Sequence, residues 1–261
     1  GGAAHVLGRL FYLTGDRKYR DAAVDLFDRH FSEIPALPDG PHPGIFPWHP
    51  DFADLKKYNI EHLAYEFCMA MPFIRSCTRP DARVRFCKAV LAMADFCYRA
   101  VHNDRMYNIP LHFLTAANLV ALCFPGFKDA EKWKQWSLTR LTEDCARFPT
   151  STEDGYFREG FGYQAVNTNL IFRNVQFLKA SGARVPRRLE SVCWKTFDFF
   201  ARILRKDGKS PLLGDTGTVY PHEHYIEPHE ILHAGAAFFN EPRFKACAGT
   251  PCSSGRPMER L

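Results

Sequence analysis

The sequence predicts an all-α protein. Apolar residues recur at intervals of three and four along most of the chain, which is the spacing of one face of an α-helix. Strict alternation of apolar and polar residues, which is typical of strands, is hard to find before the C-terminal third. With 46% hydrophobic and 14% aromatic residues, the 261-residue chain cannot be classed as disordered and can bury a large core.

The apolar spacing predicts nine helices that follow one another as antiparallel hairpins. Their expected ranges are about 3–14, 16–32, 51–76, 80–102, 109–124, 130–147, 157–181, 187–206 and 226–240. Two helices recur in roughly fifty residues, and a unit of this kind is typical of helical-repeat and α/α-toroid architectures.

Prolines, glycines and one aspartate support these ranges. Pro80 and Pro110 fit the first turn of a helix, where a missing N–H group does no harm. Asp129 is expected to cap the helix that follows it, since its side chain can accept a hydrogen bond from the first turn. Gly182 and Gly208 stand where a helix needs a left-handed end.

Two long stretches rich in proline and glycine interrupt the helices, at residues 33–50 and 208–225. Long ordered loops in compact domains are disproportionately functional, so both stretches are candidate binding surfaces. No linker or low-complexity tract divides the chain. We therefore expect a single α/α-toroid domain over residues 1–247 and a C-terminal tail over residues 248–261.

Charge and apolar run length exclude two classes of partner. The net charge of +5, from 34 basic and 29 acidic residues, is mild and spread along the chain, which suits an acidic substrate. No basic run, zinc-finger spacing or Walker motif indicates a nucleic-acid partner. No stretch approaches the roughly 20 apolar residues that span a bilayer, so no membrane-spanning segment is expected.

The nine cysteines do not suggest a metal or redox site. Seven lie singly in apolar helical stretches, with no Cys-x-x-Cys pair, and are expected to be buried free thiols. These are Cys68, Cys77, Cys87, Cys97, Cys123, Cys145 and Cys193. Cys247 and Cys252, near the end of the chain, are close enough in sequence to pair, and the sequence leaves their state open.

Three segments place polar groups beside aromatic ones, at residues 103–112, 154–164 and 213–225. Each lies at a predicted helix start or in a predicted loop. Because the loops at one end of an antiparallel helical array converge on one rim, we expect these segments to meet although they are distant in sequence.

The first polar segment contains Asn108 and His112, which are four residues apart and share one face of a helix that begins near Ile109. A helix N-terminus presents free N–H groups and the positive end of the helix dipole, which suits a carboxylate. Asn108 is explained equally well as a helix cap, and His112, in an apolar helix, more often as a core histidine.

The second polar segment contains Glu159, Tyr163 and Asn167, which follow the same spacing of four and are expected to share a helix face. A tyrosine among charged groups can carry a proton when they favour its ionised form. The alternative is an interfacial aromatic residue whose hydroxyl bonds a neighbour. Gly160 and Gly162 near a helix start indicate a close approach of another group.

The third polar segment ends in His222-Glu223-His224. His222 and His224 are two residues apart, and the sequence offers no convincing third ligand. The evidence for a metal site is therefore weak, and neither a metal nor another cofactor is predicted. The alternative role for His222 and His224 is to bind acidic sugars as imidazolium groups.

Five segments, taken in their order, resemble the helical N-terminal part of the heparinase II/III-like polysaccharide lyases, which are related in fold to alginate lyases and uronyl epimerases. The segments are Tyr12-Leu13-Thr14-Gly15-Asp16 with Tyr19, the segment around Trp48, Asn108 ahead of the apolar run to Phe124-Pro125, Asp154-Gly155 through Glu159 and Tyr163, and Pro211-Leu212-Leu213-Gly214-Asp215. The spacing of 55 residues from Asn108 to Tyr163 is also similar to that family.

The resemblance implies an incomplete α/α toroid of antiparallel hairpins without the family's C-terminal β-sandwich. It also implies β-elimination at a uronic acid of a glycosaminoglycan or alginate, with Asn108 neutralising the uronate carboxylate and Tyr163 acting as acid, base or both. An acidic polysaccharide is the implied partner, no cofactor is needed, and a secreted or periplasmic location is expected. The expected substrate-binding residues are Arg105, Arg158, Glu159, Asn167, Asp215, His222 and His224.

The chain departs from the family pattern at two positions. Many members carry a histidine directly after the asparagine or the tyrosine, whereas this chain has Ile109 and Gln164. His112, one helical turn from Asn108, is predicted to substitute as a catalytic group. The chain starts without Met and offers too little after Ser210 to build a β-sandwich, which usually supplies a further histidine. A fragment that is slow or inactive alone is therefore expected.

Other functions stay open at this stage. A uronyl C5 epimerase would use the same groups, and a glycoside hydrolase on the same toroid would need two carboxylates, for which Glu159 and Asp215 are the candidates. A helical scaffold that binds glycans or proteins without catalysis is the alternative from another class. The polymer, its sulfation and the choice between endo and exo attack depend on loop shape and are not predicted.

Overall fold

The protein is helical throughout its described part, apart from one short hairpin. The computed structural model describes residues 2–33, 64, 68, 75–101, 108–145, 150–151, 155–157, 160–205, 211 and 228–248. The helices are α1 Gly2–Thr14, α2 Arg17–Glu33, α3 Pro80–Val101, α4 Asn108–Cys123, α5 Ala130–Glu143, α6 Phe161–Ala180, α7 Arg187–Ile203, α8 Pro228–Phe239 and α9 Pro242–Ala248. The antiparallel hairpin joins β1 Thr150–Ser151 to β2 Tyr156–Phe157. The predicted all-α class is confirmed.

Most of the predicted helix limits agree with these bounds, and three need correction. The helix predicted over 157–181 begins only at Phe161, because Tyr156 and Phe157 form β2. The helices predicted to end at residues 147 and 206 end at Glu143 and Ile203. Helix α9 was not predicted at all.

The predicted helix over residues 51–76 lies largely outside the described residues. Ala64 and Cys68, within it, are helical and buried, and residues 75–77 already form a turn.

The residues expected to mark helix starts and ends behave largely as predicted. Pro80 is the first residue of α3, and Pro110 lies in the first turn of α4. Gly182 follows α6 with a φ of 74°, the left-handed conformation that ends a helix. Asp129 directly precedes α5, and its backbone carbonyl oxygen accepts the Trp133 N–H at 3.0 Å, while the cap by its side chain stays a prediction. Gly208 lies outside the described residues.

The chain groups into two compact units. The first comprises residues 1–105, 109–140 and 180–183, and the second comprises residues 106–108, 141–179 and 184–261. The single domain over residues 1–247, the tail and the toroidal arrangement of the helices stay predictions.

The first unit is held by an aromatic core. Phe27 and Phe31 of α2 contact Phe86 of α3, with each of the two rings centred 5.2 Å from the Phe86 ring. The side chain of Asp28 accepts the Arg79 N–H at 3.2 Å and so satisfies a donor just ahead of α3. Helix α4 is buried on all sides, since every residue from 110 to 121 is buried.

The second unit has its own aromatic core, around α7. Phe197 of α7 contacts the rings of Phe172 in α6, Phe239 in α8 and Phe244 in α9, at centroid distances of 5.1, 5.5 and 5.8 Å. Three ion pairs reinforce the packing at its edge. The buried carboxylate of Asp198 in α7 pairs with Arg202 and with Arg243 of α9, while Lys179 pairs with Glu190 at 2.8 Å.

The eight cysteines that the structure describes are free thiols, but not all of them are buried as predicted. Cys77 and Cys123 are exposed because they lie at element ends rather than on core faces. Burial and a hydrogen bond to Cys123 raise the pKa of the Cys68 thiol, and the same hydrogen bond lowers the pKa of Cys123. Cys247 is half-buried, and its suggested partner Cys252 lies outside the described residues.

In the part of the chain that the structure describes, no helix combines the length and apolar character that crossing a membrane requires.

A close approach between α8 and α7 gives a first testable prediction. A Cβ atom on Gly235 of α8 would overlap the ring of the fully buried Phe197. We therefore expect Gly235→Ala to lower the free energy of unfolding by about 1–3 kcal/mol, the cost of overpacking, although alanine favours helix. Gly126→Ala is the control, because that position has open space around it. Urea denaturation followed by circular dichroism measures both, and equal midpoints would contradict the prediction.

Candidate functional site

Tyr163 lies in the first turn of α6, two residues after the helix begins at Phe161. Its side chain is partly exposed, whereas Asn167, one helical turn further on, is fully buried. Residues four apart in a helix share a face, so the expected alignment of Tyr163 with Asn167 is found. The candidate site therefore has a partly exposed tyrosine at the start of a helix and a buried asparagine one turn beyond it.

The expected alignment of Glu159 with this face stays a prediction, because residue 159 lies outside the described residues, and α6 itself begins at Phe161. Gly160 has a φ of 110°, which lies outside the helical region and which an L side chain rarely adopts. Its N–H donates to the carbonyl of Phe157 at 3.2 Å, and its own carbonyl accepts the Gln164 N–H at 3.1 Å. Gly160 thus separates β2 from α6.

The β1–β2 hairpin contacts helix α7 closely at a glycine. In this hairpin Thr150 pairs with Phe157 and Ser151 with Tyr156. Gly155, directly before β2, has a φ of 75° and is buried. A Cβ atom there would lie 2.7 Å from the backbone nitrogen of Thr196, a distance that real Cβ atoms essentially never show. Only glycine therefore permits both the conformation and the approach.

The side chain of Gln164 ties this hairpin to α6. Its amide oxygen accepts the N–H of Phe157 at 2.8 Å, and its amide nitrogen donates to the carbonyl of Gly155 at 2.9 Å and to the hydroxyl of Thr168 at 3.4 Å. Gln164 and Thr168 are fully buried. A buried amide that satisfies two backbone groups of another segment contributes about 0.5–1.5 kcal/mol per bond and costs more when one partner is removed.

Three partly exposed aromatic rings pack beside the hairpin. Tyr156 of β2 lies 5.8 Å from Phe161 of α6 and 5.3 Å from Phe199 of α7, measured between ring centroids. Phe161 and Phe199 are stacked at 6.2 Å. The three rings join the hairpin to α6 and α7. They lie on the face of α6 that carries Phe161, which is roughly opposite the face that carries Tyr163.

Asn108 is the first residue of α4, as the sequence predicts. Asn108 belongs to the second compact unit, which also contains Tyr163, whereas the rest of α4 belongs to the first unit. Asn108 itself therefore belongs to the same unit as the start of α6.

His112 follows Asn108 by one turn in the same helix. Only 5% of its surface is exposed, and it lies in the continuously buried stretch of α4. This burial agrees with the interpretation as a core histidine.

Six expected substrate-binding residues lie outside the described residues, namely Arg105, Arg158, Glu159, Asp215, His222 and His224. Within the described ranges, no group of three His, Cys, Asp or Glu side chains is placed to hold a metal ion.

Sequence reasoning missed the two residues that organise this region, Gly155 and Gln164. A glycine such as Gly155 indicates a tight turn in the sequence. The sequence does not show that it contacts α7, because the contacted residues are some forty positions away. Gln164 carries no signal of its own, because a glutamine early in a helix is common on exposed surfaces too.

Comparison with known proteins identifies a similar fold. No protein-family model matches the chain, and neither does any curated protein sequence. The crystal structure of heparinase III is similar, with 14% sequence identity and a TM-score of 0.60. The match covers 90% of this chain and 35% of the heparinase III chain, so this chain spans about a third of that protein. The likeness establishes a distant structural relationship in fold, consistent with the resemblance seen in the sequence.

The contact of Gly155 with α7 gives a second testable prediction. We expect Gly155→Ala to destabilise the protein by about 2–4 kcal/mol, because the methyl group adds a clash with the α7 backbone to the strain of a left-handed conformation. Gly182→Ala is the matched control. It has nearly the same φ of 74° but no atom within 4 Å of the added Cβ, so it should cost only about 1–2 kcal/mol. Denaturant unfolding of both variants measures the difference, and equal losses would rule out the clash.

Proposed function

We propose that this chain is the helical part of a polysaccharide lyase that cleaves a uronic-acid-containing polysaccharide by β-elimination. One observation carries the proposal: Tyr163, partly exposed at the start of α6, belongs to the same compact unit as Asn108, the first residue of α4. The similarity of the fold to a protein named as a heparinase supports the same class of reaction.

The proposed reaction begins with removal of the C5 proton of a uronate. The proton is weakly acidic because its removal places negative charge on the neighbouring carboxylate. In the proposed mechanism, the amide of Asn108 binds this carboxylate and stabilises the developing charge. Tyr163, in its ionised form, accepts the proton.

The elimination then breaks the bond between C4 and the glycosidic oxygen. The electron pair of the former C5–H bond forms the C4=C5 double bond, and the departing oxygen takes the bonding pair together with a proton from Tyr163. The product carries an unsaturated uronate at its new non-reducing end. The elimination is redox-neutral overall and needs no external oxidant or reductant, so the proposal includes no cofactor.

The remaining predicted residues have binding roles in this proposal. Arg105, Arg158, His222 and His224 supply positive charge or donors for an acidic sugar, and Glu159, Asn167 and Asp215 bind hydroxyl groups. His112 is the proposed substitute for the histidine that many family members carry next to the asparagine. Because it is buried, we propose that it acts by supporting the start of α4.

The full gene product is proposed to add a β-sandwich domain that supplies a further catalytic histidine. The proposal is supported by the match to about a third of heparinase III. A secreted or periplasmic location is part of the same proposal, because polysaccharides of this class lie outside the cell.

The direct test is the ultraviolet absorbance of unsaturated uronate, measured with the full-length gene product on heparan sulfate, alginate and related polymers. The proposal expects absorbance to rise with at least one polymer. Hydrogen exchange at C5 without cleavage would instead identify an epimerase, and reducing sugar released without absorbance would identify a hydrolase. Binding without any reaction would identify a glycan-binding scaffold.

The phenol of Tyr163 gives a third testable prediction. We expect Tyr163→Phe to lower kcat by about 10²–10⁴-fold, the usual contribution of a general acid–base, while thermal unfolding stays unchanged. Tyr156→Phe is the matched control, since it deletes the same hydroxyl seven residues earlier from another partly exposed ring. Full activity in Tyr163→Phe would remove this residue from the mechanism.

The amide of Asn108 gives a fourth prediction. Asn108→Asp replaces a donor by a negative charge that repels the uronate, so we expect kcat/KM to fall by about 10²–10³-fold. An aspartate at a helix N-terminus stabilises by about 0.3–1 kcal/mol, so the melting temperature should not fall. Reduced activity together with an unchanged or raised melting temperature would therefore separate catalysis from folding. Activity equal to that of the unmodified protein would contradict the role of Asn108.

A further inference from the structure

We infer that Cys68 and Cys123 are a reversible redox pair, which a small-molecule disulfide such as oxidised glutathione converts into an internal disulfide bond. Their side chains are joined by a hydrogen bond although they are 55 positions apart in sequence. Both residues belong to the first compact unit. The inference does not depend on the proposed function, so the two can fail separately.

The two thiols differ in accessibility. Cys68 is helical and only 2% exposed, and Ala64, one helical turn earlier, is helical and fully buried. Cys123 is the last residue of α4 and is exposed. A reagent in solution therefore reaches the Cys123 sulfur, whereas the Cys68 sulfur is covered by the protein.

The hydrogen bond runs from the buried thiol to the exposed one. Burial raises the pKa of Cys68, the hydrogen bond raises it further, and the same bond lowers the pKa of Cys123. These opposite shifts are those of a Cys68 S–H group that donates to the Cys123 sulfur. The bond thus stabilises the thiolate at the exposed position, and the thiolate is the form that attacks a disulfide. An accessible thiolate beside a second, resolving cysteine is the arrangement of redox-sensitive cysteines.

The packing after α4 holds Cys123 in place. The next residue, Phe124, donates its N–H to the carbonyl of Val120 at 2.9 Å. Its ring centroid lies 5.7 Å from that of Phe86, a fully buried residue of α3, and 5.1 Å from that of Phe127. The end of α4 is therefore anchored on the aromatic core of the first unit. An S–S bond of about 2.05 Å then needs a small movement of two side chains that already touch.

Cys77, the other exposed cysteine of the described ranges, has a different neighbour. Its sulfur is hydrogen-bonded to the hydroxyl of Ser76 at 3.6 Å. A hydroxyl cannot form a disulfide, so this contact supplies no second thiol. Cys77 is therefore a matched control, because it lies in the same unit and is exposed like Cys123.

The proposed reaction consists of two thiol–disulfide exchanges. The Cys123 thiolate attacks one sulfur of oxidised glutathione, forms a mixed disulfide and releases one glutathione thiolate. Cys68 then loses its proton and attacks the Cys123 sulfur, which closes the internal disulfide and releases the second glutathione thiolate. The two cysteines together lose two electrons and two protons, and one oxidised glutathione becomes two reduced molecules.

The internal disulfide is expected to stabilise the fold. It closes a long loop, between residues 68 and 123, and so restricts the unfolded chain more than a short loop would. Reduction by a thiol reverses the bond and removes this stabilisation.

The fifth prediction concerns the full-length protein, first reduced with dithiothreitol and then equilibrated with oxidised glutathione. After alkylation of the remaining thiols and digestion, mass spectrometry should find a peptide pair that links Cys68 to Cys123. The oxidised protein should melt about 10 °C above equally oxidised Cys123→Ser, while the two reduced proteins should melt within about 2 °C of each other. Cys77→Ser, the matched control, should behave as the unmodified protein in both measurements.

Two variants test the order of the exchanges. Cys68→Ser retains a hydrogen-bond donor but cannot complete the second exchange, so glutathione should stay on Cys123 as a mixed disulfide. In folded Cys123→Ser, the buried Cys68 should take up no glutathione. If Cys68→Ser does not fold, Cys123→Ser decides, because its changed residue is exposed. Glutathione found on Cys68 in that variant would overturn the proposed order.

The redox pair itself is wrong if the unmodified protein retains glutathione on Cys123, or if no link between Cys68 and Cys123 forms. A link that leaves the oxidised protein melting with oxidised Cys123→Ser would overturn the stabilising role. None of these measurements uses a polysaccharide, so each result holds whether or not the protein cleaves one.

Discussion

The close approach of Gly155 to the backbone of α7 is the constraint on which the candidate site depends. It is possible only because this residue has no Cβ atom and can adopt a φ of 75°. The Gln164 side chain of α6 holds the same segment through two hydrogen bonds, one to the Phe157 N–H of β2 and one to the carbonyl of Gly155. Tyr163, next to Gln164 in the chain, lies at the start of the same helix.

The buried side of α6 carries polar groups that need hydrogen-bond partners. Four fully buried polar side chains lie along it, namely Gln164, Asn167, Thr168 and Asn174. Burying such groups destabilises a fold unless hydrogen bonds compensate, and apolar residues would pack there without that condition. Departures from the most stable choice are typical of regions that serve function.

The likeness to heparinase III concerns the arrangement of the chain, and a shared fold can carry unrelated chemistry. The proposed lyase function therefore depends on Asn108 and Tyr163, each near the start of its helix and both in one compact unit. The departure at Gln164 has a physical explanation, since its amide holds the β2 hairpin through neutral hydrogen bonds. Ile109, at the other departure, precedes a stretch of α4 that is buried on every side.

The sequence by itself determined the helical class, most helix limits, and the places of Asn108 and Tyr163 at helix starts, because apolar spacing, prolines and glycines act over a few residues. It did not predict the β1–β2 hairpin or the late start of α6, since the pairing of Phe157 with Thr150 and the strained Gly160 depend on neighbours that spacing does not reveal. Only the tertiary structure decided that Gly155 contacts α7 and that Gln164 binds the hairpin. Contacts between distant segments depend on how whole elements pack, and local residue patterns carry little information about that packing.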